Sequence, residues 1–147
     1  MLWNKVSDRK LVYSGATSVG RVRSDNQDCF GVFPPDGDTA VDDHLFVVAD
    51  GMGGHERGRE ASARTVDVVK ETYFRGLQED VSALLLEAFE TANEDVYSRS
   101  LEYGPMVTMG TTCTALSLRD GRGVIAHIGD SRAYRITRRS IKQLTHD

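Results

Sequence analysis

Apolar and polar positions change rhythm three times along the chain. Residues 45–49, Leu-Phe-Val-Val-Ala, form an unbroken apolar run that stops at Asp50 and a turn containing Gly51, Gly53 and Gly54. A short apolar run bounded by turn residues predicts a buried strand. Segments 13–19 and 29–33 also read as strands, and Pro34-Pro35-Asp36-Gly37-Asp38 reads as a loop. The rhythm then turns helical. A helix is predicted over 56–77, with Val66, Val69 and Tyr73 on one face. A second helix carries Val81, Leu84, Leu85, Ala88, Ala92 and Val96 at helical spacing, with Glu87, Glu90, Glu94 and Asp95 largely off that face. Beyond it, β-branched residues fill 111–118, Asp120-Gly121 supplies a hairpin turn, and 124–128 returns. Segments 133–137 and 141–145 predict another hairpin around Arg138-Arg139-Ser140.

Strands, then two helices, then consecutive hairpins predict the α+β class. Hairpins require antiparallel pairing, and grouped helices argue against a doubly wound parallel sheet. A chain of 147 residues is long enough for one domain with a sizeable core. There are no repeats, no low-complexity segment and no evident linker.

Charge and cysteine content narrow the function classes. With 18 Lys+Arg against 22 Asp+Glu and a net charge of −4, the chain lacks the basic footprint of a nucleic-acid binder. Cys29 and Cys113 are far apart, show no CxxC spacing, and read as buried thiols. The first ten residues hold no apolar signal region, and no apolar stretch reaches membrane-spanning length. A soluble, cytoplasmic protein is the expectation, with neither nucleic acid nor membrane as partner.

Four clusters could carry chemistry. Arg23-Ser24-Asp25-Asn26-Gln27-Asp28 precedes a strand, and its arginine offers a planar fork suited to phosphate oxygens. Asp50-Gly51 follows the apolar run. A carboxylate fixed at a strand end beside a backbone carbonyl suits a hard cation such as Mg²⁺ or Mn²⁺, and an ordinary Asp-Gly turn is the competing reading. Gly110-Thr111-Thr112 opens a strand, for which β-propensity alone is a sufficient account. Gly129-Asp130-Ser131-Arg132 repeats the strand-then-aspartate logic. Two such aspartates at one sheet edge would repel unless a cation lay between them. Other chemistries fit poorly. There is no G-x-x-x-x-G-K-[ST] loop, no G-x-S-x-G elbow and no HExxH pair. His127 reads as a satisfied strand residue, and Cys29 has no activating partner.

Taken in order, five segments resemble the metal-dependent serine/threonine protein phosphatases of the PPM family (type 2C) in their bacterial form. They are Gly20-Arg21-Val22-Arg23-Ser24-Asp25-Asn26-Gln27-Asp28, Val48-Ala49-Asp50-Gly51-Met52-Gly53-Gly54-His55, Gly110-Thr111-Thr112, Ile128-Gly129-Asp130-Ser131-Arg132-Ala133-Tyr134-Arg135 and Leu144-Thr145-His146-Asp147. The resemblance implies a four-layer α/β/β/α sandwich, two antiparallel sheets flanked by helices. It also implies a centre of two or three Mn²⁺ or Mg²⁺ ions whose activated water hydrolyses phosphoserine or phosphothreonine without a phosphoenzyme. The implied partner is a phosphorylated protein, such as the substrate of a Ser/Thr kinase. By position, Asp50 would bridge two metals and the Gly51 carbonyl would bind one. Arg23 would grip the phosphate, Gln27 and Asp28 would orient metal-bound waters, and Asp130 would help hold a third ion. Arg132 would support its turn.

Two departures from the family pattern matter. Met52 stands where many animal relatives carry a histidine proposed as general acid, and that role is not transferred to His55. The chain also stops at Asp147, before two further aspartates, in Asp-Gly and Asp-Asn motifs, that complete the family's metal site. Residues 1–147 are therefore expected to be an incomplete domain, with motifs from about residue 20 and the C-terminal part missing. Such a chain would expose sheet edges and apolar faces and would be weakly active or inactive alone. The alternative is a non-catalytic module of the same fold that binds a phosphoprotein or a partner chain.

Overall fold

Alternation along β2 (Asp43–Met52) sets the layering: Leu45, Val47 and Ala49 are buried on one face, while Val48, Asp50 and Met52 are exposed on the other. The computed structural model describes residues 11–35, 42–76, 80–104 and 108–147. Around β2 lie β1 (Asp28–Phe33), β3 (Gly110–Thr111), β4 (Cys113–Arg119) and β5 (Arg122–Ile128). The order is β1-β2-β4-β5, with β3 beside the C-terminal end of β2, and every pairing is antiparallel. A second, two-stranded sheet pairs β6 (Tyr134–Ile136) with β7 (Ile141–Gln143).

Helices α1 (His55–Arg75) and α2 (Val81–Glu102) both cover the inner face of the larger sheet. Their apolar stripes meet the inward strand residues in one core, with Val66, Val69 and Tyr73 from α1 and Leu84, Leu85 and Ala88 from α2 packed on Leu45, Val47 and Ala115. Cutting either fully buried leucine to alanine would cost about 2–5 kcal/mol. Asp80 starts α2 by accepting hydrogen bonds from the N–H groups of Ser82 and Ala83, both at 3.1 Å. The β4–β5 hairpin turns through Asp120 and Gly121, whose φ of 52° and 74° match the twist that tight hairpins favour.

The α+β class, the antiparallel sheets and both helices agree with the reading of the sequence, and several bounds differ. Segment 13–19 is not a strand: no strand among the described residues pairs with it. It packs instead across the outer face of the sheet. The Tyr13 ring lies edge-on to Phe46 at 5.7 Å, and a Cβ on Gly15 would come within 2.2 Å of the Phe30 ring. β-propensity describes fit to a pleated surface and does not itself supply a hydrogen-bonding neighbour. β2 does not stop before Asp50. It runs to Met52, because β3 pairs Gly51 with Thr111 and Met52 with Gly110. The predicted strand over 111–118 is split at Thr112. Helix α2 extends past Val96 to Glu102, and the second hairpin is shorter than expected. Residues 36–38 of the predicted loop and Leu77 of the first helix lie outside the described residues.

Candidate active site

Asp28 opens β1 directly opposite Asp50 of β2, so the pleat places both residues on the outer face. The approach to Asp28 is shaped by Asn26, whose Oδ1 accepts from the Asp28 N–H at 3.1 Å while its amide donates to Thr17 Oγ1 at 2.8 Å. The Asp50 carboxyl is held above the usual carboxylate range. Partial burial is the largest cause, followed by the charge of Asp28, a hydrogen bond with Asp28 and the charge of Asp130, with Arg23 opposing them. Three of the other residues singled out in the sequence, Arg23, Asp28 and Asp130, therefore lie within electrostatic reach of Asp50 at one end of the sheet.

Gln27 and Gly51 meet at the same end. The Gly51 N–H donates to the Gln27 carbonyl at 3.1 Å, and that carbonyl also accepts from Ser62 Oγ of α1 at 2.7 Å. Strand and helix touch here without side chains. A Cβ on Gly51 would lie 1.8 Å from the Gly58 carbonyl oxygen, and one on Gly58 would lie 2.2 Å from Gln27 Oε1. Glycine is needed at Gly51 for this close approach of β2 to the start of α1.

The strand end is clamped from the other side by Thr111 and Thr112. The Asp50 carbonyl accepts from the Thr112 N–H and from Thr111 Oγ1, both at 2.9 Å, and the Asp50 N–H donates to Thr112 Oγ1 at 3.0 Å. Thr112 Oγ1 shares a further hydrogen bond of 2.8 Å with Ser131 Oγ, next to Asp130. β5 ends at Ile128, and Gly129 turns with φ of 103° against the Thr112 side chain. Arg132, at the end of that turn, is engaged by the Asp147 carboxylate. Its Nε donates to Asp147 Oδ1 at 2.9 Å and its Nη2 pairs with Asp147 Oδ2. The pairing raises the arginine and lowers the aspartate from their ordinary values, in keeping with a supporting role for Arg132.

Ser62 gave no signal in the sequence, and Thr112 and Ser131, though within two of the segments singled out there, were assigned no role. Ser62 and Ser131 stand outside any recognisable pattern of nucleophile and base. Thr112 reads as plain β-propensity, and its role follows from a register that only the folded sheet defines. The thiols are free, Cys113 buried and Cys29 partly so. Burial pushes the Cys113 thiol up to about 12, which leaves it without nucleophilic character. His127 shares a 2.8 Å hydrogen bond with Thr114 through Nδ1, whereas its buried Nε2 has no partner among the described residues.

The donor set at this end is all oxygen: three carboxylates and backbone carbonyls. Among the described residues no group of three or more His, Cys, Asp or Glu side chains is close enough together to hold an ion. Asp28 and Asp130 each act on the Asp50 carboxyl, but the three do not form one close cluster. Such a set fits a hard divalent cation that keeps several waters, the habit of Mg²⁺. A groove of about 430 Å³ on the outer face is bordered by Asp28, Asp50 and Ser131 at this end and by Ser14–Ser18 along its side.

Comparison with known proteins identifies the family. A family described as "Protein phosphatase 2C" matches residues 17–147. The serine/threonine phosphatase stp of Listeria monocytogenes is 34% identical over 135 residues, covering 89% of this chain and 52% of that protein. The crystal structure of the phosphatase Stp1 from Staphylococcus aureus aligns with a TM-score of 0.75 at 33% identity, over 90% of this chain and 52% of that one. The catalytic domain of the phosphatase PstP, solved in complex with two manganese ions, aligns with a TM-score of 0.70 at 32% identity, over 87% of this chain and 52% of that one. The chain thus spans about half the length of these relatives.

Proposed function

The chain belongs to the protein phosphatase 2C family, and from that premise we propose that its site serves the metal-dependent hydrolysis of phosphoserine and phosphothreonine in proteins. The observation that carries the reading is the convergence of Asp28, Asp50, Asp130 and Arg23 at one sheet end. Three like charges brought together beside one cationic fork make a site that gains from a divalent ion and a phosphate dianion. Asp50 and the Gly51 carbonyl would hold the ions, Asp130 would add a further ligand, and Gln27 and Asp28 would orient waters. When bound, Mn²⁺ or Mg²⁺ supplies Lewis-acid chemistry, lowering the pKa of water and offsetting charge on phosphate oxygens. Arg23 would bind the phosphate and fix its approach. Among the described residues both thiols are pushed up from their ordinary value, largely by burial, which is consistent with water as the nucleophile.

The substrate class follows from the same chemistry: a phosphorylated segment of another protein, of the kind a Ser/Thr kinase makes. The activity of this half-length chain is expected to be weak. Hydrolysis of p-nitrophenyl phosphate by the purified chain, with Mn²⁺, with EDTA and as Asp50→Asn, tests the reading. Turnover that needs Mn²⁺ and is lost in the variant supports it. Turnover indifferent to EDTA or to Asp50→Asn overturns it. Mn²⁺ binding measured by calorimetry without any turnover would instead favour a non-catalytic module that binds a phosphoprotein or partner chain.

A further inference from the structure

The geometry points to Thr112 and Ser131 as a positioning pair that sets the spacing between the Asp50 and Asp130 carboxylates; the inference rests on the metal-dependent reading above. Asp50 and Asp130 sit on segments that share no strand pairing, β2 and the turn after β5. Both flanking strands pair with β4, and beyond that ladder one hydroxyl links them directly. Thr112 Oγ1 accepts from the Asp50 N–H at 3.0 Å and shares a 2.8 Å hydrogen bond with Ser131 Oγ, one residue past Asp130. Thr112 is nearly inaccessible to solvent, so water does not compete for these bonds. The residue lies at the break between β3 and β4, where its own N–H is spent on the Asp50 carbonyl at 2.9 Å. The link therefore grips Asp50 through backbone at both ends and reaches the Asp130 turn through the side chain alone.

The same side chain also packs. A Cβ on Gly129 would approach Thr112 Cγ2 to 2.6 Å, so the methyl group fills the space under the turn. Packing and positioning thus make opposite demands. Thr112→Val keeps the shape and loses the hydroxyl, whereas Thr112→Ser keeps the hydroxyl and loses the methyl.

The test compares the unsubstituted chain with Thr112→Val, Thr112→Ser and Ser131→Ala in two measurements. One is Mn²⁺ affinity by calorimetry, and the other is hydrogen exchange at the Asp50 amide without metal. The expected result is Mn²⁺ binding weakened about 10-fold in Thr112→Val, the scale seen when groups that orient metal ligands are lost. Ser131→Ala should weaken it too, with Thr112→Ser close to the unsubstituted chain. The Asp50 amide should exchange faster in Thr112→Val and stay protected in Thr112→Ser. Unchanged Mn²⁺ affinity in Thr112→Val, or a Thr112→Ser variant as weak as Thr112→Val, would overturn the proposal and leave the metal reading standing. An unsubstituted chain that binds no Mn²⁺ would overturn the metal reading and this proposal with it.

Discussion

Asp28 and Asp50 face each other as partners across β1 and β2, two carboxylates at the same rung of an antiparallel ladder. Like charges directly opposite one another are destabilising, and the Asp50 carboxyl responds by holding its proton above the usual carboxylate range, burial first and the Asp28 charge second. A carboxyl that binds its proton more tightly folded than unfolded contributes stability below its unfolded pKa, and that contribution is lost as pH rises through the folded value. At neutral pH without metal, the charged pair is therefore a liability. Asp50→Asn should raise the thermal midpoint at pH 7 in EDTA by the equivalent of roughly 0.2–1 kcal/mol, the range for exposed cross-strand pairs. The gain should vanish in melts recorded below the carboxylate range. A lowered midpoint at pH 7 would contradict the repulsion.

Gly51 and Gly58 test how closely β2 approaches α1. A Cβ on Gly51 would collide with the backbone carbonyl of Gly58, which cannot yield without moving the helix. Gly51→Ala should cost about 3 kcal/mol or more, toward the upper end of overpacking effects. A Cβ on Gly58 would meet the end of the Gln27 side chain at 2.2 Å and the Gly51 backbone only at 3.0 Å, a milder clash than the one at Gly51. The helical position also gains up to about 1 kcal/mol from alanine in place of glycine. Gly58→Ala should therefore stay within about 1 kcal/mol of the unsubstituted chain while displacing Gln27. Urea unfolding of the two variants measures the contrast, and equal losses would show that strand and helix separate freely.

Much of the fold is legible because burial and period coincide. Leu84, Leu85, Ala88, Ala92 and Val96 repeat at helical spacing, and all are buried. The alternation of Leu45, Val47 and Ala49 is also visible, although the run of five apolar residues hides which face is inward until Val48 is found exposed. The end of β2 was misread because strand limits are set by partners: β3 pairs with Gly51 and Met52, although turn chemistry alone would end the strand before Asp50. Segment 13–19 has strand-like composition and no strand beside it. Of the site, the charged residues were legible by resemblance, since Arg23, Asp28, Asp50 and Asp130 stand in recognisable strings. Thr112 and Ser131 stand in such strings too, but the partners of their hydroxyls, and of Ser62, were not legible, because a serine or threonine acquires its partner only from tertiary register.

The far end of β2 carries a second polar cluster that no sequence pattern announced. Asp43, almost wholly buried, accepts from Tyr73 Oη at 3.0 and 2.9 Å and from Arg119 Nε at 2.8 Å, with Ser117 Oγ also in contact. Burial is the main cause that raises the Tyr73 phenol above its ordinary value. A buried carboxylate tolerates its position only while its donors remain. Tyr73→Phe should cost about 1–3 kcal/mol, the penalty of leaving a buried acceptor short of a partner. Asp43→Ala should cost about 3–5 kcal/mol, because it breaks the buried ion pair with Arg119. Urea unfolding of both single variants and the double variant should show strong non-additivity. Simple addition would mean that the contacts act independently.

Asp95 joins the two helices and gives the opposite pH sign to Asp50. Its carboxylate receives Arg64 Nε at 3.1 Å and Nη2 at 2.9 Å from α1, and Arg99 Nε at 2.9 Å from its own helix. These bonds, Arg64 first, hold the Asp95 carboxyl below its ordinary value. A group whose folded pKa is depressed contributes stability above its unfolded pKa and loses it as pH falls through the folded one. The three side chains are a quarter to a third exposed, so solvent screening limits the contribution to about 1 kcal/mol. Stability measured by urea unfolding should therefore fall as the solution is acidified through the carboxylate range, and part of that fall should disappear in Asp95→Asn. At pH 7 the variant should be the less stable protein, and the two should converge once the carboxylate of the unsubstituted chain is protonated. If Asp95→Asn instead runs parallel to the unsubstituted chain across the acid range, the Arg64–Asp95 contact does not bind the helices together. The α1–α2 interface would then rest on its apolar stripe and on the contacts of Glu60 with Arg99 and Tyr103.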